Sequence, residues 1–232
     1  MNTRRSRHLR HRFPPDIISY AVRVYHRYCL SFRDVEDLLA ERGIIVSYET
    51  IRQWCRKFGP DYARRLRRRQ GRLGDTWFLD EVFVTINGER QYLWRAVDQD
   101  GDLIDILVQP RRDGRAARRF FRKLLKCQRQ EPGRLVTDKL GSYRAAHRDI
   151  MPSVTHDTQR YANNRVEASH QPTRQRERQM RGFKSRDHAQ SFLHVHGVIQ
   201  NLFRVGRHHL RAVHHRMLRA RALTVWATVT AA

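Results

Sequence analysis

The sequence predicts a two-part α+β protein, in which a small domain of three helices precedes a larger α-β-α domain. Between residues 14 and 58, apolar residues recur at helical spacing. From residue 75 the pattern changes to runs of aromatic and β-branched residues, and Asn87-Gly88 between the first two runs indicates a hairpin. Helical periodicity returns after residue 113. The 232 residues suit a small domain joined to a larger one.

The charge of the chain is strongly positive, with 47 Lys and Arg residues against 23 Asp and Glu residues and a net charge of +24. Such an excess favours a polyanionic partner, and double-stranded DNA is the first candidate. The plainer interpretation is that the charge serves solubility alone. The twofold excess of basic residues makes that interpretation the weaker one.

The three cysteines, Cys29, Cys55 and Cys127, are far apart and form no C-x-x-C motif. The sequence therefore indicates neither a zinc site nor a disulfide framework, and a reducing compartment fits. No apolar run reaches 18 residues. We expect a cytoplasmic, nucleoid-associated protein without a membrane partner.

The N-terminal helices carry start and stop signals. Ser31 and Ser47 are predicted to cap the second and third helices, and Gly43 to end the second. The third helix is predicted over residues 48–57, with Gly59-Pro60 as its stop. Three short helices with a tight turn before the last are typical of a helix-turn-helix domain.

The third helix would present five residues outward, Tyr48, Glu49, Arg52, Gln53 and Arg56. Arg52 and Gln53 suit base recognition, because Arg pairs with guanine and Gln with adenine. Arg56 and Lys57 suit phosphate contacts, and Tyr48 lies on the same face. Small three-helix domains also bind proteins or serve purely structural roles, so the net charge decides in favour of DNA.

The first predicted strand, Trp77–Val84, contains two carboxylates in an otherwise apolar run. A buried carboxylate is costly unless it is paired or binds a cation, so Asp80 is a candidate metal ligand. Adjacent strand residues face opposite sides, and we therefore expect only one of Asp80 and Glu81 to enter the site. A buried ion pair at Asp80, with Glu81 as the ligand, is the alternative.

The order of the predicted elements is that of an RNase H-like domain. Strands at 91–97 and 103–108 follow the first, and then come a helix capped by Asp113 and a strand at 134–137. A further strand is possible at 153–156. In such a domain, carboxylates from the first strand, the end of the fourth strand and a later helix converge. The corresponding residues here are Asp80, Asp138 and Glu167.

Three converging carboxylates suit two divalent cations, Mg²⁺ or Mn²⁺, roughly 3.5–4 Å apart. Asp80 would bridge the two ions, and Asp138 and Glu167 would each complete one. Asp138 could instead be a turn residue. Glu167 could cap its own helix, because Asn164-x-x-Glu167 has capping-box spacing. Pro172 should interrupt that helix.

At these residues the sequence resembles the DDE transposases of bacterial insertion sequences, most closely insertion-sequence family six. The resemblance spans nearly the whole chain. The matching stretches are Leu79-Asp80-Glu81, Tyr92–Asp98, Val136-Thr137-Asp138-Lys139 and Asn163–Glu167. The interval from Asp138 to Glu167 is 167 − 138 = 29 positions, a few residues shorter than is usual in the family.

The resemblance implies that the protein recognises terminal inverted repeats, nicks 3′ ends and transfers them to target DNA. It also implies a homodimer or a larger synaptic complex on the element ends and the target DNA. Lys139 and Arg174 would contact the DNA backbone. Two other classes compete: a non-catalytic helix-turn-helix regulator, and a hydrolytic RNase H-like nuclease that cuts but does not join.

These predictions divide the chain into five parts. They are a basic arm at 1–13, the helix-turn-helix domain at 14–58, a basic linker at 59–74, the DDE integrase-type catalytic domain at 75–205, and a basic C-terminal tail or helix at 206–232.

Overall fold

The computed structural model describes residues 11–71, 73–159, 162–163, 166, 169–204 and 210–231. The helices are α1 Pro15–Arg27, α2 Phe32–Ala40, α3 Tyr48–Arg69, α4 Gly114–Gln128, α5 Gly141–Ile150, α6 Gln171–Gln179, α7 Arg186–Phe203 and α8 Ala212–Thr230. The strands are β1 Thr76–Ile86, β2 Glu89–Asp98, β3 Leu103–Gln109, β4 Arg134–Val136 and β5 Thr155–Asp157. Across the described ranges, each helix is too short or too polar to span a bilayer.

The chain forms two compact units, one of residues 1–70 and 195–232 and one of residues 71–194. In the first unit, helices α1, α2 and α3 follow the sequence prediction closely at their N-termini. The Ser31 hydroxyl accepts a hydrogen bond from the Asp34 amide at 3.1 Å, and the Asp34 carboxylate accepts one from the Ser31 amide at 2.7 Å. The Ser47 hydroxyl accepts from the Thr50 amide at 3.4 Å. Both predicted caps are confirmed.

The predicted end of the third helix is wrong. Helix α3 continues through Pro60 to Arg69, so most of the expected linker is helical. Tyr62, Ala63 and Leu66 are buried and extend the apolar face, and their packing outweighs the hydrogen bond that Pro60 cannot donate. Gly59 is buried rather than terminal. A Cβ atom there would lie 3.3 Å from His26 Cε1, so this glycine allows close packing instead of ending the helix.

The C-terminal residues form a helix that belongs to the first unit. Trp226 of α8 is buried and meets the ring of Tyr62 edge to face, with 5.5 Å between centroids. The Arg65 guanidinium donates to the Val229 carbonyl at 3.1 Å. Helix α8 is therefore packed against α3 and is not a separate tail.

The second unit is built on a five-stranded mixed sheet with the order β3-β2-β1-β4-β5. Strands β1, β2 and β3 form an antiparallel meander, whereas β4 is parallel to β1 and β5 is parallel to β4. The predicted hairpin is confirmed, because Asn87 and Gly88 both have positive φ angles, 52° and 79°. Strand β5 begins two residues later than expected.

The core of the second unit lies between one face of the sheet and helices α4 and α5. Trp77, Leu79 and Trp94 from the strands pack with Phe120 of α4 and Tyr143 of α5. The Asp113 carboxylate caps α4 by accepting from the Ala116 amide at 2.8 Å, as predicted. Pro172 lies in the first turn of α6, where a missing amide hydrogen costs nothing.

Candidate active site

Asp80 and Asp138 are brought together by the parallel pairing of β1 and β4. Phe78 is in register with Val136, and each aspartate lies two residues further along its chain. The carboxylates of Asp80, Asp138 and Glu81 each offer an oxygen within 4.8 Å of the others, which defines an acidic cluster. Residues far apart in sequence thus meet at the end of β4. Carboxylate oxygens are the ligands that Mg²⁺ and Mn²⁺ prefer.

Glu81 shares this cluster, so the expectation that only one of the two neighbouring carboxylates would enter it is wrong. Strand β4 ends beside Phe78, and beyond that point the long side chain of Glu81 can reach the same region as Asp80. Alternation fixes the direction of the Cβ atom but not the position of a carboxylate further out.

The Glu81 carboxylate is buried and held at both oxygens. Arg112 donates from Nε to Oε1, and the Tyr143 hydroxyl donates to Oε2. Burial raises the pKa of Glu81 to about 7, although Tyr143 and Arg112 act in the opposite direction. The Arg112 guanidinium also lies 3.6 Å from Asp138 Oδ2, so it links two members of the acidic cluster.

The carboxylates of Asp80 and Asp138 each accept a hydrogen bond from a described neighbour. His170 donates from Nε2 to Asp80 Oδ2 at 3.0 Å, and the Leu140 amide donates to Asp138 Oδ1 at 2.9 Å. Sequence reasoning missed His170. The available signal was its position three residues after Glu167, which places both on one face of any helix that contains them. No sequence pattern indicated Arg112 or Tyr143.

Glu167 lies outside the described residues, as does Asn164. The described residues on either side contact β1. Asn163 donates from its side-chain amide to the Leu79 carbonyl at 2.8 Å, and His170 reaches Asp80. Arg95 of β2, which is buried, donates to the hydroxyl of Ser169 at 2.9 Å.

The predicted DNA-contacting residues of α3 are exposed or half-buried. Arg52 is held by Glu49 through two hydrogen bonds, of 2.8 and 2.6 Å. Gln53 donates to the same carboxylate at 3.4 Å, and the Arg33 guanidinium lies 5.0 Å from the ring centre of Tyr48. Arg56 and Lys57 are exposed.

The other two predicted DNA contacts, Lys139 and Arg174, belong to the second unit. Lys139 is exposed and directly follows Asp138. Arg174 of α6 forms an ion pair with Glu177 at 3.2 Å.

The family described as a DDE domain, of the IS240 transposase type, matches residues 74–206. This span includes the whole sheet and the acidic cluster. The chain therefore belongs to the DDE transposases of bacterial insertion sequences, and the predicted resemblance is confirmed.

Curated relatives agree with this assignment. The chain is 32% identical over 163 residues to the transposase for insertion sequence-like element IS431mec of Staphylococcus aureus, covering 68% of this chain and 72% of that protein. It is 31% identical over 163 residues to the transposase for insertion sequence element IS257 in transposon Tn4003, also of Staphylococcus aureus, with the same coverage.

Two solved structures show a weaker likeness. The catalytic core domain of BIV integrase matches at 15% identity with a TM-score of 0.41, covering 66% of this chain and 99% of that one. The HTLV-2 integrase catalytic core domain in complex with magnesium matches at 12% identity with a TM-score of 0.41, covering 59% and 90%.

Proposed function

We propose that this transposase binds the terminal inverted repeats of its element, nicks their 3′ ends and transfers those ends to target DNA. The observation that carries the proposal is the meeting of Asp80, in the middle of β1, with Asp138, just past the end of the parallel strand β4. Phosphoryl transfer by two metal ions needs a fixed cluster of carboxylates to hold the cations at the reacting phosphate. An RNase H-like domain supplies one in this arrangement.

The donor set of the acidic cluster fits divalent cations, because it consists of hard carboxylate oxygens within 4.8 Å of one another. Asp80 would hold both of two Mg²⁺ or Mn²⁺ ions, Asp138 one and Glu167 the other. Such ions activate the attacking oxygen and stabilise the leaving one. Glu81 is less suited as a ligand, since both its oxygens already accept hydrogen bonds.

The chain's own groups orient the ligands. His170 and the Leu140 amide each fix one oxygen of an aspartate, so neither carboxylate needs to reorganise during the reaction. The contacts of Asn163 and His170 with β1 support the role of Glu167, because these residues flank it closely in sequence.

Helices α1 to α3 are proposed to act as the helix-turn-helix domain that recognises the terminal repeats. Arg52 and Gln53 would read bases, while Arg56 and Lys57 would contact phosphates together with Lys139 and Arg174. The support is that none of the four α3 residues is buried. A homodimer or larger synaptic complex would hold two element ends beside the target DNA.

Strand transfer with labelled, pre-nicked element ends tests this mechanism. We expect Asp80→Asn to bind ends like wild type but to join them more than about a hundredfold more slowly, because the acidic cluster loses a charge needed for cation binding. Asp149→Asn is the matched control, since Asp149 is a half-exposed aspartate paired with Arg118 outside the acidic cluster. This control should join ends at the wild-type rate.

Other outcomes distinguish the competing classes. Joining by Asp80→Asn at the wild-type rate would show that the proposed mechanism is wrong. Cleavage of ends by wild type without joining of pre-nicked ends would identify a hydrolytic nuclease. Specific binding without either reaction would identify a non-catalytic regulator.

A further inference from the structure

Phe83 is an exposed aromatic residue on the strand that carries Asp80. Its neighbours Leu79, Val84 and Ile86 on β1 are buried, whereas Phe83 is 51% exposed. A single exposed apolar residue is common on protein surfaces and needs no explanation by itself. The surroundings of this ring are what make it notable.

Two arginines lie against the Phe83 ring. The Arg90 guanidinium of β2 is 5.2 Å from the ring centre, and the Arg174 guanidinium of α6 is 5.0 Å from it. Both distances are within the range of cation–π interaction. An exposed aromatic ring beside positive side chains is the combination that binds single-stranded nucleic acid, because the ring stacks on a base and the cations attract the backbone.

The position of the ring connects it to the acidic cluster. Phe83 follows Asp80 by three residues, roughly 10 Å along the strand, and it follows Glu81 of the acidic cluster by two residues, so its side chain leaves β1 on the same side as that of Glu81. His170 lies just before α6 and contacts Asp80. Arg174 lies one helical turn later, in α6, and contacts the Phe83 ring. The same stretch of chain therefore lines both the carboxylate and the ring. Ten ångströms corresponds to about three base steps of DNA.

We infer that Phe83, Arg90 and Arg174 form a stacking site for an unpaired nucleobase of the DNA strand held at the acidic cluster. The inference rests on the proposed function, which places a DNA end there. A base within a duplex has both faces covered by its neighbours, so only a base at an end, a nick or a frayed pair can stack on a protein ring. The site would hold the strand end open and in position.

The test measures binding of a duplex terminal repeat that ends in a three-nucleotide single-stranded extension. Fluorescence anisotropy compares wild type with Phe83→Leu, which keeps an apolar side chain but removes the aromatic face. We expect about tenfold weaker binding of the extended DNA by Phe83→Leu. Phe83→Trp should bind at least as tightly as wild type. Met217→Leu, at an exposed apolar position on α8, is the control and should not change binding.

The same variants are then tested on DNA in which each base of the extension is replaced in turn by an abasic site. When the abasic site replaces the base that stacks on Phe83, wild type should bind the DNA no more tightly than Phe83→Leu does. An equal effect of Phe83→Leu on every DNA, or no effect on any, would overturn the inference. Thermal melting by circular dichroism confirms that each variant is folded.

The experiment also separates this inference from the proposed function. Binding does not require cleavage, so an abasic-sensitive loss in Phe83→Leu would support the stacking site even if wild type failed to join ends. Conversely, normal joining by wild type with no role for Phe83 would leave the proposed function intact and remove only the stacking site.

Discussion

Glu81 is a buried carboxylate whose two oxygens are used by Arg112 and Tyr143. Arg112 supplies the nearby positive charge among the described contacts of Glu81. Removing one partner of a buried polar group leaves that group without its hydrogen bond, which costs more than the bond itself contributed. The pair is therefore expected to matter for stability even though Arg112 is partly exposed.

We predict that Arg112→Ala lowers the free energy of unfolding by roughly 1–3 kcal/mol, because it leaves Glu81 Oε1 without a donor. Urea denaturation measures the change. Arg118→Ala is the matched control, since Arg118 and Asp149 are both half-exposed and form an ion pair at the surface. Loss of that ion pair should lower the free energy of unfolding by about 0–1 kcal/mol. Equal effects of the two substitutions would contradict the role given to Arg112.

His156 of β5 gives a prediction for pH. Burial, followed by the nearby His147 and Arg144, lowers the pKa of His156 below its ordinary value of 6.5. Its Nε2 lies 2.8 Å from the Thr137 hydroxyl, and its ring stacks on His147. The fold thus prefers the neutral imidazole, whereas the unfolded chain binds a proton near pH 6.5.

The stabilising contribution of neutral His156 is therefore present above pH 6.5 and is lost as the pH falls through its lowered pKa. Urea denaturation at pH values from 7.5 to 5.0 should show that the free energy of unfolding falls as the pH is lowered. This fall should be smaller in His156→Gln than in wild type. His214→Gln, at an exposed position on α8, should keep the wild-type slope. A wild-type slope in His156→Gln would refute this assignment.

The residues of the candidate site differ in how far the sequence could reveal them. Asp80 and Asp138 were identifiable, because each is an acidic residue inside or just after an apolar strand. His170, Arg112 and Tyr143 reach the acidic cluster through packing of loops and helices onto the sheet. Of the three, His170 has a sequence signal in its spacing of three residues from Glu167. Arg112 and Tyr143 are ordinary in sequence, so only the tertiary structure reveals them.

Among the secondary-structure elements, sequence signals predicted helix starts correctly where the capping hydrogen bond joins residues that are close in sequence. The caps at Ser31, Ser47 and Asp113 each join residues three apart, so the sequence contains both partners. Helix α3 shows the opposite case. Gly59-Pro60 is a strong local stop signal, yet the helix continues because residues distant in sequence cover its apolar face.

The continuation of α3 predicts opposite effects for two neighbouring substitutions. Pro60→Ala should raise the free energy of unfolding by about 1–2 kcal/mol, since it restores an amide donor inside the helix. Gly59→Ala should lower it by about 1–2 kcal/mol, because the new Cβ meets His26 at 3.3 Å. The His26 ring is buried and bonded to the Val22 carbonyl at 2.8 Å, so it cannot easily move.

Urea denaturation again measures both changes. If α3 ended near residue 58, as the sequence alone predicts, position 60 would tolerate alanine without gain and Gly59→Ala would strain only a turn. Stabilisation by Gly59→Ala would show that the close packing against His26 does not restrict this position.

Over the whole molecule, the net charge of +24 favours the proposed binding to DNA. Each Lys or Arg that neutralises a phosphate releases counterions, so affinity falls as salt increases. The proposed contacts are distributed over both units, with Arg56 and Lys57 in the first and Lys139 and Arg174 in the second. Four such contacts would reduce affinity by roughly 10²-fold between 50 and 200 mM salt.

We predict that Lys139→Ala reduces the slope of log Kd against log salt concentration by about 1, because one phosphate contact is lost. Anisotropy titrations of terminal-repeat DNA at several salt concentrations measure the slope. Phe83→Leu removes no charge, so it should weaken binding of the DNA with the single-stranded extension while keeping the wild-type slope. An unchanged slope in Lys139→Ala would show that this lysine does not neutralise a phosphate. A reduced slope in Phe83→Leu would show that the ring acts through the arginines rather than by stacking on a base.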